Sequence, residues 1–218
     1  MTTLTVAGSQ ETLTLTDPRL VVAGYTARDQ AAVRAHIDEL AAIGVAPPPA
    51  VPMFYPLDAS LITTDSAITV AGAQTSGEVE PIVVWCGGQR YLGIGSDHTD
   101  RELETESVAD SKAAAPKPIG SSVLPLDDAV ARWDDIAVRS WVDGELYQEG
   151  QLSAMLRPDD LIGMLTERGE QPTGDAVMFC GTVPLLGGTF VHGTKWRMEL
   201  GVPGGDAITL EYEVSVSG

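Results

Sequence analysis

The sequence is poor in cationic residues and contains no asparagine. Of its 218 residues, only 13 are lysine or arginine, against 31 aspartate or glutamate, and the formal net charge is −18. A field of that sign repels nucleic acid and anionic membrane surfaces, so we expect neither as a partner. The only lysines are Lys112, Lys117 and Lys195. An acidic surface with so few lysines fits a salt-rich or high-GC source.

Cysteine and long apolar runs are also scarce. Cys86 and Cys180 each follow an apolar run typical of a strand, so we expect buried, reduced thiols and no disulfide. No apolar stretch has the length of a membrane span, and the first residues lack the basic start and apolar core of a signal peptide. These features predict a cytoplasmic protein.

The composition is that of a globular protein, because 44% of the residues are hydrophobic. The pattern of short alternating segments predicts many strands and few helices, an α+β fold rich in strands. A helical stripe of apolar residues predicts a helix from about Asp29 to Ile43. We expect two short strands in residues 1–16, paired as an edge hairpin. We also expect a helix from Asp127 to Trp133, capped by Asp127 or Asp128, and a capped helix from Arg157 to Leu165. We expect N-terminal strands and a helical lid in residues 1–66, followed by a strand-rich core in residues 67–218, within one continuous domain.

The stretch from Ser76 to Glu104 contains the clearest candidate site. Two apolar runs separated by Gly87-Gly88 predict a β-hairpin with acidic residues at its ends. Glu78 and Glu80 are two residues apart and would leave the same face of an extended strand, and the hairpin would bring Asp97 towards them. If these carboxylates point inwards they need a cation, and an all-oxygen set favours Mg²⁺ or Mn²⁺ over zinc.

Each of these patterns also has a purely structural interpretation. The acidic hairpin could be a solvated surface of an acidic protein. His36 and Glu39 are neighbours on the predicted helix, where the carboxylate could orient the imidazole or the two could form a surface pair. Lys112 could be solvated, but its place just past the acidic stretch in a lysine-poor chain favours a role in the site.

Taken in order, the segments resemble the fumarylacetoacetate hydrolase-like family over about residues 20 to 200. The run from Pro172 to Pro184 is similar to that family's Pro-Gly-Asp followed by Gly-Thr-Pro. The segment Tyr147-Gln148-Glu149-Gly150 is similar to its Arg-Gln-x-Gly segment. The resemblance implies a mixed β-roll of the type found in that enzyme's C-terminal domain, with a few peripheral helices, and a homodimer.

The resemblance also implies roles for individual residues. The metal ligands would be Glu78, Glu80 and Asp97, the last of which opens the family's Asp-x-Ser-x-Arg-Asp motif. The catalytic residues would be His36 and Glu39, which resemble the lid dyad His-x-x-Glu, and Lys112, which corresponds to the family lysine before Pro-Ile-Gly. The substrate-binding residues would be Arg101, Thr182 and Tyr55, of which Tyr55 stands near the place of a family lysine. The dyad lies later in the chain than is usual in the family, and Gly-Thr-Val-Pro carries an extra residue, which indicates a divergent branch.

The function implied by the resemblance is hydrolysis of a carbon–carbon bond in an acylpyruvate-like or other 2-oxo acid or 1,3-dicarbonyl substrate, with Mg²⁺ or Mn²⁺ as cofactor. The same metal site could support a lyase or isomerase reaction, namely decarboxylation, tautomerisation or dehydration. A member without catalytic activity would bind the metabolite and leave it unchanged. A β-rich structural module with a halophilic acidic surface is the remaining hypothesis.

Overall fold

The computed structural model describes residues 1–42 and 47–217. Its strands are β1 (Thr2–Val6), β2 (Thr12–Leu15), β3 (Arg19–Gly24), β4 (Met53–Leu57), β5 (Ile62–Thr63), β6 (Ala67–Val70), β7 (Thr75–Ser76), β8 (Val79–Cys86), β9 (Gln89–Ser96), β10 (Thr99–Asp100), β11 (Lys117–Pro118), β12 (Ser122–Pro125), β13 (Ala137–Val142), β14 (Glu145–Gln151), β15 (Ala176–Phe179), β16 (Lys195–Gly201) and β17 (Ile208–Val216). Its α-helices are α1 (Gln30–Ala42), α2 (Arg101–Glu104), α3 (Val108–Ala113), α4 (Leu126–Val130) and α5 (Pro158–Glu167).

Two larger sheets carry the fold. The eight-stranded mixed sheet has the strand order β2-β1-β12-β9-β8-β15-β3-β4, and the five-stranded sheet has the order β14-β13-β16-β17-β6. Two short pairs, β10 with β7 and β11 with β5, complete the strand pairing. The strand-rich mixed β-roll predicted from the sequence is confirmed.

The predicted hairpin is formed by β8 and β9 at the centre of the larger sheet. Alternate residues of β8 pack into two different apolar clusters, with Val83 in the cluster that also contains residues of the five-stranded sheet and Ile82 in the other. Because both faces of β8 are covered, the run from Ile82 to Trp85 is apolar at every position instead of alternating. Both faces of β8 are therefore packed in the core.

The N-terminal segments belong to the same sheet. The strands β1 and β2 form the predicted edge hairpin, while β3 pairs with β15 on one side and β4 on the other. Helix α1 follows β3 as predicted, and the Asp29 carboxylate accepts hydrogen bonds from the N–H groups of Ala31 and Ala32 at its start. Among the described residues, no helix combines the length and apolarity that crossing a membrane requires.

Three local predictions need correction. Helix α4 begins at Leu126 instead of Asp127 and has no side-chain cap, because the aspartates expected to cap it lie in its first turn. Helix α5 also lacks a side-chain cap and starts with Pro158, which suits a first helical position. Cys86 and Cys180 are unpaired as expected, but Cys86 is only partly buried because it ends β8 beside an exposed turn.

Candidate active site

The β8–β9 hairpin brings the predicted acidic residues to one end of the larger sheet. Val79 pairs with Ser96, so Glu78, one residue before β8, lies beside Asp97, one residue after β9. The Asp97 N–H donates a hydrogen bond to the Glu78 carbonyl oxygen at 3.1 Å. Glu80 follows within β8 itself.

Glu80 is a buried carboxylate with little compensation from the protein. Its Oε2 accepts a hydrogen bond of 2.7 Å from the Gly181 N–H. Burial raises the pKa of Glu80 well above its ordinary value, and the negative charge of Asp97 raises it further. The ionised form of Glu80 therefore requires an additional positive charge nearby.

Gly181 makes the contact with Glu80 possible because it has no side chain. Its φ is +94°, and a Cβ atom at this position would lie 1.8 Å from Thr26 Oγ1. A residue with a side chain at position 181 would have to shift away from Thr26, and its backbone N–H would shift away from Glu80 with it. The loop after β15 thus depends on this glycine to fix Glu80.

Asp97 is fully buried between two lysines. Lys112 Nζ donates to Asp97 Oδ2, and Lys117 Nζ lies 3.2 Å from Asp97 Oδ1. Burial opposes ionisation, but the charges of Lys112 and then Lys117 outweigh it and hold the pKa of Asp97 below its ordinary value. Two of the three lysines in the sequence therefore bind one carboxylate.

Lys117 is a site residue that the sequence interpretation missed. Its ammonium group also contacts the carbonyl oxygens of His98 and Ala115, so its three N–H donors face three acceptors. Burial lowers the pKa of Lys117 to about 8 in spite of the Asp97 charge. The available signal was its position, because Lys117 is the residue that directly precedes Pro118-Ile119-Gly120.

Arg101 is occupied by protein groups. Its guanidinium donates to Glu78 Oε2 at 3.0 Å, to Glu104 Oε2 at 2.9 Å and to Ser76 Oγ at 2.6 Å. The Phe190 ring covers it, with the guanidinium carbon 3.8 Å from the ring centroid. Burial opposes its charge, but Glu78 and Glu104 together raise the pKa of Arg101 above its ordinary value. Arg101 is thus placed to orient Glu78.

Thr182 is also engaged within the protein. Its hydroxyl donates to the Val79 carbonyl at 2.7 Å and accepts from Gln148 Nε2 at 2.8 Å. Gln148 is fully buried, and its Oε1 accepts from the Val79 N–H and from Ser140 Oγ, both at 2.9 Å. This network joins the start of β8 to β13 and to the loop after β15.

Tyr55 and Lys112 lie together beside the acidic residues. The Lys112 ammonium is 5.9 Å from the centroid of the Tyr55 ring, and burial raises the pKa of Tyr55 to about 12. Among the described residues, the Lys112 ammonium donates a hydrogen bond to Asp97 alone, which leaves two of its three N–H groups for a ligand. Burial opposes its charge, but Asp97 and Glu80 raise the pKa of Lys112 above its ordinary value.

His98, the residue next to Asp97, has a structural environment. Its Nδ1 lies 3.0 Å from the Tyr212 hydroxyl and its Nε2 lies 2.9 Å from Thr75 Oγ1. Burial, with the charges of Lys117 and Arg101, lowers the pKa of His98 to about 3, so the ring is neutral at physiological pH. The predicted dyad His36 and Glu39 falls within α1, but both side chains lie outside the described residues.

The three predicted metal ligands are close together but are not arranged around one point. In the described part of the chain, no three histidine, cysteine, aspartate or glutamate side chains converge as metal ligands. Glu78 is turned to Arg101, and Asp97 is bound by both lysines. The donor chemistry nevertheless fits a hard divalent ion, because the acidic groups are all carboxylates and the buried Glu80 forms no ion pair among the described residues.

Comparison with protein families gives one match. Residues 23–212 match the family model described as "Protein of unknown function (DUF2848)". The chain belongs to the DUF2848 family. A search of curated protein sequences found no match.

Solved structures show which fold this DUF2848 member has. Fumarylpyruvate hydrolase from Pseudomonas aeruginosa, in complex with Mn²⁺ and pyruvate, matches with a TM-score of 0.67 at 18% identity, over 99% of this chain and 96% of that one. The 5-carboxymethyl-2-hydroxymuconate delta-isomerase from Mycobacterium smegmatis matches with a TM-score of 0.62 at 17% identity, over 94% and 81%. A 2-keto-3-deoxyarabinonate dehydratase matches with a TM-score of 0.64 at 17% identity, over 93% and 75%. The predicted resemblance is thereby confirmed for the fold.

Proposed function

We propose that this protein is a divalent-metal-dependent enzyme that hydrolyses a carbon–carbon bond in an acylpyruvate-like or other 2-oxo acid or 1,3-dicarbonyl compound. The observation that carries the proposal is the burial of Glu80 beside Asp97. Two buried carboxylates are unfavourable unless cations compensate them, and Lys112 and Lys117 both form ion pairs with Asp97, whereas Glu80 forms none among the described residues and is affected by Lys112 only at longer range. The shared fold of a hydrolase that contains Mn²⁺ and pyruvate supports the same assignment.

The carboxylates of Glu78, Glu80 and Asp97 would hold Mg²⁺ or Mn²⁺. When bound, the ion would supply Lewis-acid stabilisation of the enolate that develops as the carbon–carbon bond breaks. The protein's own contribution is to orient the ligands, which it does through Arg101 at Glu78, the Gly181 N–H at Glu80 and Lys117 at Asp97. These contacts would fix the carboxylates before the substrate arrives.

The charges of the site favour an anionic substrate in spite of the acidic chain. Three cations face four carboxylates, and the participants are Arg101, Lys112, Lys117, Glu78, Glu80, Asp97 and Glu104. A divalent ion would turn the single excess negative charge into a single positive one, which the carboxylate of a 2-oxo acid would neutralise. Within the part of the chain that the structure describes, two N–H groups of Lys112 have no acceptor and would bind that carboxylate, and Tyr55 lies beside this lysine. Arg101 and Thr182 act in this proposal as positioning residues.

Hydrolysis requires a base for the attacking water, and we propose His36, oriented by Glu39, for that step. His36 would take a proton from water, and the hydroxide would add to the distal carbonyl carbon. The carbon–carbon bond would then break to leave an enolate and a carboxylic acid. Without this base, the same site would support decarboxylation, tautomerisation or dehydration. The isomerase and the dehydratase that share the fold favour this second candidate.

The proposal is tested by metal binding and turnover together. We expect the purified protein to bind Mn²⁺ in isothermal titration and to turn over a member of a panel of acylpyruvates and 2-oxo acids only with Mg²⁺ or Mn²⁺. Glu80→Gln and Asp97→Asn should lose both properties, whereas the exposed control Glu149→Gln should keep them. Unchanged Mn²⁺ binding in both site variants would remove the proposed metal centre.

A second variant separates the two reaction classes. His36→Gln should abolish hydrolysis if His36 is the base, and it should leave decarboxylation or tautomerisation intact if those are the reactions. Mn²⁺-dependent binding of a 2-oxo acid without any product would instead identify a binding protein. We also propose a cytoplasmic homodimer, in keeping with the free thiols of Cys86 and Cys180, and light scattering in solution tests the oligomeric state.

A further inference from the structure

Phe190 carries a large apolar side chain on the loop between β15 and β16. The residue is 42% exposed, so one part of its ring faces water. The buried part lies on Arg101, with the guanidinium carbon 3.8 Å from the ring centroid. The loop thus brings an aromatic ring from a distant part of the chain onto the cation that contacts Glu78.

Arg101 uses the edge of its guanidinium for hydrogen bonds and leaves its faces for packing. Its Nε, Nη1 and Nη2 donate to Ser76 Oγ, Glu104 Oε2 and Glu78 Oε2, respectively. These donors lie in the plane of the group, so a ring can cover one face without displacing any of them. The negative face of the ring attracts the cation and excludes water from it. Phe190 therefore stabilises Arg101 in the position where it holds Glu78.

The loop is attached beside Arg101 by the residue two positions after Phe190. His192 Nδ1 donates a hydrogen bond of 3.0 Å to the Thr75 carbonyl. Thr75 directly precedes Ser76, whose hydroxyl accepts from Arg101 Nε at 2.6 Å. The strand β7 therefore binds both the loop and the guanidinium, and this shared attachment fixes the ring over its cation.

We infer that Phe190 is a positioning residue for the metal centre, which acts through Arg101 on Glu78. The inference rests on the proposed function and adds the β15–β16 loop to the site. The Arg101 side chain is only 6% exposed, and its 3.0 Å pair with Glu78 is stronger where water is excluded. Without the ring, water would reach the guanidinium, and Glu78 would lose the fixed orientation with which it binds the ion.

The test measures Mn²⁺ binding to the full chain by isothermal titration. Phe190→Leu keeps an apolar side chain but removes the ring, and we expect it to weaken Mn²⁺ binding by about fivefold or more, the equivalent of about 1 kcal/mol. Phe190→Tyr keeps the ring and should bind Mn²⁺ like the parent. Leu186→Ala is the matched control, because Leu186 is an exposed apolar residue of the same loop, and it should also bind Mn²⁺ like the parent.

A second measurement follows Arg101 itself in the metal-free protein. Phenylglyoxal modifies guanidinium groups that water can reach, and mass spectrometry of peptides gives the rate at each arginine. We expect Phe190→Leu to raise the rate at Arg101 several-fold and to leave the rate at the exposed Arg139 unchanged. Leu186→Ala should change neither rate.

The remaining outcomes each contradict the inference. Mn²⁺ binding by Phe190→Leu that equals that of the parent would show that the ring has no effect on the centre. Equal weakening by Phe190→Leu and Phe190→Tyr would show an effect of the loop that does not depend on the ring. Weaker binding with an unchanged rate at Arg101 would show that the effect does not pass through this arginine. If the parent itself binds no Mn²⁺, the proposed function fails, and this inference fails with it.

Discussion

Lys117 Nζ lies 3.2 Å from Asp97 Oδ1, and both side chains are fully buried. Lys112 occupies the other oxygen of the same carboxylate. Because every N–H of Lys117 has an acceptor within the protein, this lysine holds Asp97 in place, while Lys112 retains donors for a ligand. We therefore propose that Lys117 positions Asp97 and that Lys112 binds a ligand.

Lys117→Met should destabilise the protein by about 3 kcal/mol, because it leaves buried acceptors and a buried carboxylate with one counter-charge fewer. Urea denaturation of the metal-free protein measures the change. The matched control is Lys195→Met, since Lys195 forms an exposed pair with Glu213 at 3.7 Å and should cost less than about 1 kcal/mol.

A double variant tests whether the loss passes through Asp97. In the Asp97→Asn background, Lys117→Met should cost less than it does in the parent, because the buried negative charge is already gone. Equal losses in the two backgrounds would show that Lys117 acts on the backbone carbonyls of His98 and Ala115 alone.

Gly181→Ala should destabilise the fold by about 2–5 kcal/mol, from the clash with Thr26 and the positive φ together. It should also weaken Mn²⁺ binding, because the N–H that fixes Glu80 is displaced. Gly188→Ala separates the two causes, since Gly188 has a φ of +65° with open space around it and should cost only about 1–2 kcal/mol. Thermal unfolding and Mn²⁺ titration of both variants check this, and equal effects would contradict the steric argument.

The local part of this structure could be predicted from the sequence. Two apolar runs around Gly87-Gly88 specify the β8–β9 hairpin, and its pairing alone brings Glu78 beside Asp97. The alternation of the β8 side chains between the two faces of the sheet also follows from strand periodicity alone.

The contacts between segments that are far apart in the sequence could not be predicted. The substrate-binding role of Arg101 remains a prediction, but no sequence pattern indicated that its guanidinium contacts Phe190, which lies in a loop 89 positions further along the chain. Lys117 reaches Asp97 only because β11 pairs with β5, and no local pattern encodes that pairing. The cap of α4 was misplaced because the helix begins one residue earlier, at the core residue Leu126, so that both aspartates lie within its first turn.

Gln148→Glu should destabilise the protein by about 3 kcal/mol or more, because both amide donors are lost and a carboxylate is buried. In the parent, Gln148 donates to Thr182 Oγ1 and to the Val183 carbonyl, at 2.8 and 2.7 Å. The neighbouring exposed change Glu149→Gln should cost less than about 1 kcal/mol. Chemical denaturation at pH 7 compares the two, and similar losses would show that the buried network contributes little.

Asp143 gives the fold a component of stability that depends on pH. Its carboxylate accepts hydrogen bonds from the Lys195 N–H (2.8 Å) and from Thr194 Oγ1 (3.0 Å), and these hold the pKa of Asp143 below its ordinary value. A depressed folded-state pKa means that the stabilisation is present above the unfolded-state value and disappears as the pH falls through the folded-state value. Asn at this position tolerates the positive φ of +51°, removes the charge and keeps one acceptor oxygen for the shorter hydrogen bonds.

Asp143→Asn should therefore lower stability at pH 7 by less than about 1 kcal/mol, because the site is exposed, and the deficit should shrink below about pH 4. Urea denaturation of the variant and the parent at pH 7 and pH 3 gives the difference in unfolding free energy at each pH. The contributions of all other titrating groups cancel in these differences. Asp206→Asn, an exposed change of the same charge, corrects for the effect of net charge. A deficit that stays constant between the two pH values would mean that the ionised carboxylate is not what stabilises the β13–β14 turn against β16.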